Sequence, residues 1–274
     1  MMNAIECRDV TWVRNRKEIL QNVQWTVEPG QHWAILGLNG SGKTSLLNLI
    51  NGYQWATRGS IQVLGETFGK TDLQALRRRI GWVSNAMADR FSTDRPTDTA
   101  LEVVMSGKYA SVGLWTPIDQ MEDEPAALQC LEQVRAVHLK DSVFNVLSQG
   151  EKQRVLIARA MMSQLGLFIL DEPCTGLDIL ARESLLETIE SSTRQPEGPT
   201  ILYVTHHTEE IVPGITHVLL LSRGRVVAAG PKRDTLTSAN LSRTFGLDVS
   251  VEWKQDRAWL QVETTLTVPS RASV

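Results

Sequence analysis

The sequence predicts an α/β fold with a largely parallel sheet, on three observations. "LFILDEP" (167–173) and "TILYVTHH" (200–207) are apolar runs that each end on polar groups, with a helical stretch at about 179–193 between them. Such strand–helix–strand alternation lays parallel strands side by side under a crossover helix. A third apolar run, "HWAIL" (32–36), has the length of a buried strand and precedes glycines and the helical "KTSLLNLI" (43–50). With 274 residues, 42% of them hydrophobic, the chain can bury a sizeable core.

In chain order, Ile5 to Val27 alternates and is rich in Val, Ile, Thr and Trp, as antiparallel strands are. "EPG" (28–30) turns the chain into the first buried strand, and the helix after the glycines stops near Gly52. "RGSIQVLG" (58–65) is a small strand between glycines, and "RRRIGWVS" (77–84) leads into another. From about 87 to 165 helical periods take over, as in "TALEVVMSG" (99–107) and "EPAALQCLEQVRAV" (124–137). "HVLLLSRGRVVAAG" (217–230) is a hairpin around Arg223-Gly224. Residues 231–274 read as an appendage, with a helix near 235–245 and then "VSVEW" and "AWLQVE" flanking a turn.

Composition excludes several classes. A formal charge of −3 offers no basic field for nucleic acid or anionic lipid, and Arg77 to Arg79 reads as a solvated helix face. Cys7, Cys130 and Cys174 are odd in number and scattered, which fits a reducing compartment better than a disulfide framework. No window holds eighteen uninterrupted apolar residues, and no signal-peptide core opens the chain. The expectation is a chain soluble by itself, which is compatible with a membrane partner.

"GLNGSGKT" (37–44) matches G-x-x-x-x-G-K-[ST] between a strand and a helix. Glycines let successive backbone N–H groups converge on phosphate oxygens, and the helix that follows presents its positive end. The candidates are Gly37, Leu38, Asn39, Gly40, Ser41, Gly42, Lys43, Thr44 and the adjacent Ser45. Lys43 would reach the β- and γ-phosphates, and the Thr44 hydroxyl would ligate Mg²⁺. An ordinary Gly-rich turn would match by chance in about one chain of this size in a hundred.

Asp171 ends a buried strand, well placed to hold Mg²⁺ through water, and Glu172 follows it. A carboxylate beside the γ-phosphate can orient or deprotonate an attacking water. "DE" alone would read as an ordinary strand-end cap; together with the Gly-rich loop it reads as metal ligand and base. His206 directly follows "ILYV", at the strand edge where α/β proteins assemble their sites, and is a candidate to touch the γ-phosphate. His32, His138, His207 and His217 keep an ordinary structural reading.

"VLSQGEKQRVLIARA" (146–160) holds a second helix start. Ser148 and Glu151 fit a capping box for a helix running through Met161. A hydroxyl and a glycine N–H at a capped helix start also form an anion site. One phosphate would then be gripped by one chain's Gly-rich loop and another chain's Ser148 and Gly150, in two composite sites of a head-to-tail pair.

"GLNGSGKT", "LSQGEKQR", "LFILDEP", "TGLD" and "VTHH", in this order, resemble the ATP-binding domain of ABC ATPases over about residues 3–230. The resemblance implies a P-loop NTPase (RecA-like) core, an N-terminal antiparallel β-subdomain, and a helical subdomain at about 87–165 inserted in an ATPase domain of 1–230. It implies ATP and Mg²⁺ as cofactors and a Mg-dependent ATPase activity. It also implies that Ser148, Gln149 and Gly150 contact the partner's nucleotide, that Glu172 is the catalytic base and that His206 is the switch histidine. Asp178, in "TGLD", resembles the loop that signals between the two sites. The helical part resembles the subdomain that receives a coupling helix from a transporter's membrane protein.

Two positions depart from the family pattern, and the signature differs as well. Asn85 stands at the end of "IGWVSN" where relatives usually have Gln; it keeps the amide for Mg²⁺ or water but is one methylene shorter. In "VTWVRN" the place of an adenine-stacking aromatic holds Arg14, with Trp12 two residues earlier. An Arg guanidinium can stack on a flat base, and so can Trp12; Arg14 is preferred, and Trp12 reads at least as well as a strand residue packed in the sheet. "LSQGE" has Gln149 where relatives have Gly, but retains the Ser and the second Gly.

The leading expectation is the cytoplasmic ATPase subunit of an ABC importer, peripheral on the inner face of the cell membrane. Its partners would be a second copy of itself, or a homologous ATPase, and transmembrane permease subunits; no nucleic acid is expected. "TALEVVMSGKYASVG" (99–113) and "LTSANLSRTFGLDVSVEW" (236–253) look like subunits for iron-chelate, cobalamin, molybdate or related uptake. The rival is an ABC ATPase without a pore, acting in repair, translation or regulation. Against it stand the absence of a sustained heptad run, one ATPase domain rather than two, and the acidic balance. A P-loop kinase or GTPase fits poorly, because no N-K-x-D motif occurs and "LSQGEKQR" would have no purpose.

Overall fold

The computed structural model describes residues 2–114 and 120–263. Strands β1 (Ile5–Arg14) and β2 (Lys17–Val27) form an antiparallel ribbon that buries Ile5, Cys7, Val10, Trp12, Val23, Trp25 and Val27 on one side. Within β1 the buried alternation slips between Cys7 and Val10, where the register shifts and Asp9 takes a φ of 51°. After β3 (Trp33–Leu36) and helix α1 (Lys43–Ile50), β4 (Arg58–Val63) pairs antiparallel with β1, and β5 (Glu66–Thr67) completes a sheet ordered β2-β1-β4-β5.

A short helix α2 (Leu73–Arg77) leads to β6 (Ile80–Ser84). Helices α3 (Asn85–Asp94), α4 (Ala100–Met105), α5 (Gln120–Gln133) and α6 (Gln149–Met161) then make up the helical region. The sheet resumes with β7 (Leu167–Asp171), α7 (Ile179–Thr193), β8 (Thr200–Thr205), β9 (His217–Ser222) and β10 (Arg225–Pro231). Its order is β10-β9-β3-β8-β7-β6, all parallel except the β9–β10 hairpin.

Period-2 alternation along the parallel strands feeds two separate cores. Trp33 and Ile35 of β3, with Leu167 and Ile169 of β7, pack towards α1 and the antiparallel sheet. Ala34, Leu36, Phe168 and Leu170 pack towards the helical region. Both faces are covered, which is why these strands read as continuous apolar runs. Helix α1 buries Leu46, Leu47, Leu49 and Ile50; each such side chain contributes about 1.5–3 kcal/mol by burial, and Leu46→Ala would cost about 2–5 kcal/mol.

Three element boundaries differ from expectation, each for a local reason. Asn85 is the first residue of α3 rather than a strand end, because Ser84 is extended and its Oγ accepts the Met87 N–H. The helix expected through 137 stops at Gln133, and Arg135 takes a φ of 56° just beyond. The C-terminal helix expected from about 235 is two pieces, α8 (Lys232–Thr235) and α9 (Ser238–Phe245). Thr237 is extended between them and caps α9 by accepting the Asn240 N–H. The chain then forms the hairpin β11 (Val249–Lys254) and β12 (Arg257–Val262). The part of the predicted appendage at 264–274 lies outside the described residues.

Candidate functional site

Register aligns the C-terminal ends of four strands on one edge. Leu36 pairs with Thr205, Asp171 with Val204, and Ser84 with Asp171. The segments that leave these ends carry the Gly-rich loop, Glu172, His206 and Asn85, so one sheet edge presents every group that the motifs single out there. A cavity of about 880 Å³ lies at that edge. It is lined by Asn39, Gly40, Gly42, Lys43, Thr44 and Ser45 on one side and by Asn85, Asp171 and Glu172 on the other.

Local sterics shape the loop. A Cβ on Gly37 would sit 2.2 Å from the Leu221 carbonyl oxygen of β9, so only glycine lets the loop leave the sheet there. Gly42 is the N-cap of α1 with a φ of 110°, a conformation that L side chains rarely adopt. No side chain caps α1 and its first turn holds no acidic residue, which leaves the helix start available to an anion. The Gly224 N–H, at the tip of the β9–β10 hairpin, donates to the Ser41 carbonyl (2.8 Å) and props the loop from below.

Lys43 is buried, and its Nζ donates to the carbonyls of Gly37 (2.8 Å) and Leu38 (3.3 Å). The same Nζ lies 3.4 Å from Glu172 Oε1. Glu172 has a φ of 50° and donates its N–H to Val204, which turns its side chain out of the sheet line. Backbone held in that region is strained by roughly 1–3 kcal/mol, and such residues cluster at active sites. His206 Nδ1 faces Glu172 Oε1 at 3.4 Å without a hydrogen bond, and it is a buried polar atom without one. Burial, and after it the charge of Glu172, push the Asp171 carboxyl up to about 6, while Lys43 acts the other way.

The donors fit a nucleoside triphosphate. Besides the uncapped helix start, the Ser41 hydroxyl is buried without a hydrogen-bond partner beneath the loop. Thr44 and Asp171 line the same cavity, and a hydroxyl and a carboxylate are ligand types that hold Mg²⁺ together with phosphate oxygens. Among the described residues no cluster of three or more His, Cys, Asp or Glu side chains converges on a metal.

Asn85 links the cavity to the second helix start. Its Oδ1 accepts from Gln153 Nε2 (2.8 Å) and Gln149 Nε2 (3.2 Å) of α6. Gln153 carried no sequence signal beyond its place on that helix. Ser148 caps α6 as a full capping box: its Oγ accepts the Glu151 N–H, and Glu151 accepts the Ser148 N–H. Gly150 lies against the segment that follows β7, where an added Cβ would be 3.4 Å from Ala181 Cβ. Asp178 caps α7 by accepting the Ala181 N–H (2.8 Å). Ser148, Gln149, Gly150 and Asp178 are not among the residues lining the chain's own cavity.

Nor is Arg14, which is exposed at the end of β1 beside the turn to Lys17. Trp12 is packed in the core under the antiparallel sheet. The cavity has further lining residues that sequence reasoning did not single out, among them Ile19, Asn48, Tyr53 and Trp82. Tyr53 and Trp82 are ring neighbours at 5.7 Å, joined only by the fold. His32 is structural: its Nδ1 accepts the Ile201 N–H, and its Nε2 pairs with the Thr193 carbonyl.

A parallel sheet with a glycine-cradled lysine facing an acidic strand end defines a P-loop NTPase. Residues 20–175 match the family described as ABC transporter. The chain belongs to that family, as an ATP-binding protein of the ATPase type. It is 46% identical over 258 residues to the uncharacterized ABC transporter ATP-binding protein YlmA of Bacillus subtilis (strain 168), covering 93% of this chain and 96% of that one. It is 30% identical over 263 residues to the hemin import ATP-binding protein HmuV of Plesiomonas shigelloides, covering 89% and 95%. Among solved structures it resembles an inward-facing ABC transporter described as of the metal-chelate type, with a TM-score of 0.75, 26% identity and coverage of 94% and 96%.

Proposed function

We propose that the chain is the Mg-dependent ATPase subunit of an importer, working as a head-to-tail dimer on the inner face of the cell membrane beneath permease subunits. The observation that carries the reading is the arrangement of Lys43, Glu172 and His206, in which one carboxylate oxygen lies 3.4 Å from both the Lys43 Nζ and the His206 Nδ1 at the phosphate loop. Residues 1–230 are proposed as the ATPase unit, with 87–165 as its helical subdomain and 231–274 as an appendage. Similarity to a hemin importer supports uptake as the direction.

In this reading the loop N–H groups and Lys43 hold the β- and γ-phosphates, and lysine charge offsets the negative charge of the transferring group. Glu172 accepts a proton from the attacking water. His206 donates to the γ-phosphate and fixes the base beside it. Thr44, Asp171 and the Asn85 amide would hold Mg²⁺, which supplies charge neutralisation on the phosphates when bound. Arg14 is the proposed adenine contact, reached from the β1–β2 turn.

The dimer follows from what the chain lacks and what it exposes. Its signature residues do not line the cavity at their own chain's phosphate loop, so in this reading their phosphate contact is made to a second copy. Val146 and Leu180, beside Ser148 and Asp178, are 79% and 81% exposed, and Ile179 and Leu38 are exposed with them. Large apolar side chains gathered around both half-sites mark an association surface.

The test is purification of the tagged chain in mild detergent from cells that make it. Co-elution of a polytopic membrane protein that stimulates ATP turnover supports the reading. A chain that elutes alone, or with ribosomal or DNA-bound company, overturns the transporter assignment while leaving the ATP chemistry in place.

A further inference from the structure

The C-terminal hairpin plays no part in the ATP chemistry above, yet it ends against it. Strands β11 and β12 meet at Gln255-Asp256, both in the left-handed region (φ 48° and 58°). The turn is anchored from α8: Lys232 donates to Asp256 Oδ2 (2.8 Å) and Arg233 to Asp256 Oδ1 (2.6 Å). This anchoring brings Arg257, the first residue of β12, between two elements of the catalytic edge.

Arg257 uses its whole fork there. Nη1 donates to Glu183 Oε2 (2.6 Å), Nη2 donates to Glu183 Oε1 (3.2 Å), and Nε donates to the backbone carbonyl of Glu209. Glu183 stands on α7, the helix that Asp178 caps. Glu209 lies in the turn Thr208–Glu210 that follows His206. The far side of that turn is tied to β8, since the buried Glu210 carboxylate accepts from Tyr203 (3.0 Å) and Thr205 (2.6 Å). The His206 segment is therefore held between a buried network from β8 and one arginine from the C-terminal hairpin.

We infer that Arg257 is a positioning residue: it locks the turn after His206 to helix α7, so that the C-terminal hairpin sets how His206 stands against Glu172. The inference rests on the ATPase reading given above. Attachment of the hairpin alone would not require this contact, because Lys232 and Arg233 already hold its turn. Only a planar guanidinium can grip a carboxylate with two nitrogens and a carbonyl with the third; lysine can reach one of them at a time.

The experiment is steady-state ATP turnover by the full chain, with melting temperature recorded for every variant. Misplacing a catalytic group by about 1 Å can cost about a hundredfold in rate. Arg257→Ala is thus expected to lower kcat about tenfold with the KM for ATP unchanged, and Arg257→Lys to fall between it and the wild type. Arg233→Ala, which loosens the same hairpin without touching the turn, keeps the wild-type kcat. Glu183→Gln shares the loss and is not additive with Arg257→Ala.

Wild-type kcat in Arg257→Ala, or an equal loss in Arg233→Ala, overturns the inference. Should Arg257→Ala fail to fold, Arg257→Lys decides: unchanged kcat overturns, and reduced kcat at unchanged KM and melting temperature supports. Lys43→Ala separates the two levels. Turnover that survives it overturns the ATPase reading itself, whereas a dead Lys43→Ala beside a fully active Arg257→Ala overturns this inference alone.

Discussion

Glu172 Oε1 lies 3.4 Å from Lys43 Nζ, although Lys43 opens helix α1, Glu172 follows β7, and the whole helical region lies between them in sequence. The pairing ties the phosphate loop to the base that would act on the phosphate. Lys43 also rests on two carbonyls of its own loop, so a phosphate arriving there would exchange with contacts already made.

Lys43→Ala removes a buried cation from the described lining of the cavity. Removing a charge-stabilising donor costs roughly a hundred- to a thousandfold in rate, so turnover should be lost to that extent and ATP affinity reduced. Colorimetric phosphate release and calorimetric ATP titration check both. Unchanged turnover would remove the phosphate assignment from Gly37 to Thr44.

Glu172→Gln keeps the shape of the side chain and loses the base. A general base contributes roughly a hundred- to ten-thousandfold, so hydrolysis should fall by that range while ATP still binds. The variant should then accumulate as an ATP-bound dimer, read by light scattering after size exclusion. A variant that stays monomeric with saturating ATP counts against the composite site.

Asn85→Ala takes away the acceptor of Gln153 and Gln149. Leaving a buried amide unpaired costs about 1–3 kcal/mol, which a urea melt would register. Stimulation of turnover by the membrane partner should fall with it, and Asn85→Gln should restore part of that stimulation. Equal basal and stimulated rates in wild type and Asn85→Ala would show that Asn85 does not couple the cavity to α6.

Trp12 and Arg14 separate by what each substitution changes. Trp12 is a core residue, and Trp12→Ala should cost about 3–5 kcal/mol of stability. Arg14 is exposed, and loss of a cation–π contact of about 0.5–1 kcal/mol predicts a two- to fivefold weaker ATP affinity with no change in melting. No change in affinity for Arg14→Ala would assign the base to other groups.

Most of the fold was legible because its elements obey local rules. The buried strands Trp33–Leu36 and Leu167–Asp171 are unbroken apolar runs, helix α7 follows its Asp178 cap, and α6 opens on the capping box read from Ser148 and Glu151. The errors fell where one side chain decides a boundary, as Ser84 does for Asn85 and Thr237 does for α9. At the site, groups next to a motif could be named from sequence, since strand ends align in a parallel sheet. Ile19, Tyr53 and Trp82 could not, because only the packing of separate layers brings them to the cavity. Arg257 belongs with them: its partners Glu183 and Glu209 lie far back in the chain, and no spacing rule connects the three.

The prop beneath the phosphate loop has a genetic consequence. Gly224 donates to Ser41, and a Cβ on Gly224 would stand 2.2 Å from the Ile19 carbonyl oxygen. An allele that replaces this glycine would displace the loop without altering any residue of the nucleotide motif. A map of inactivating alleles along the gene would then show one cluster at the motif and a second at the codon for Gly224, and both would share one phenotype.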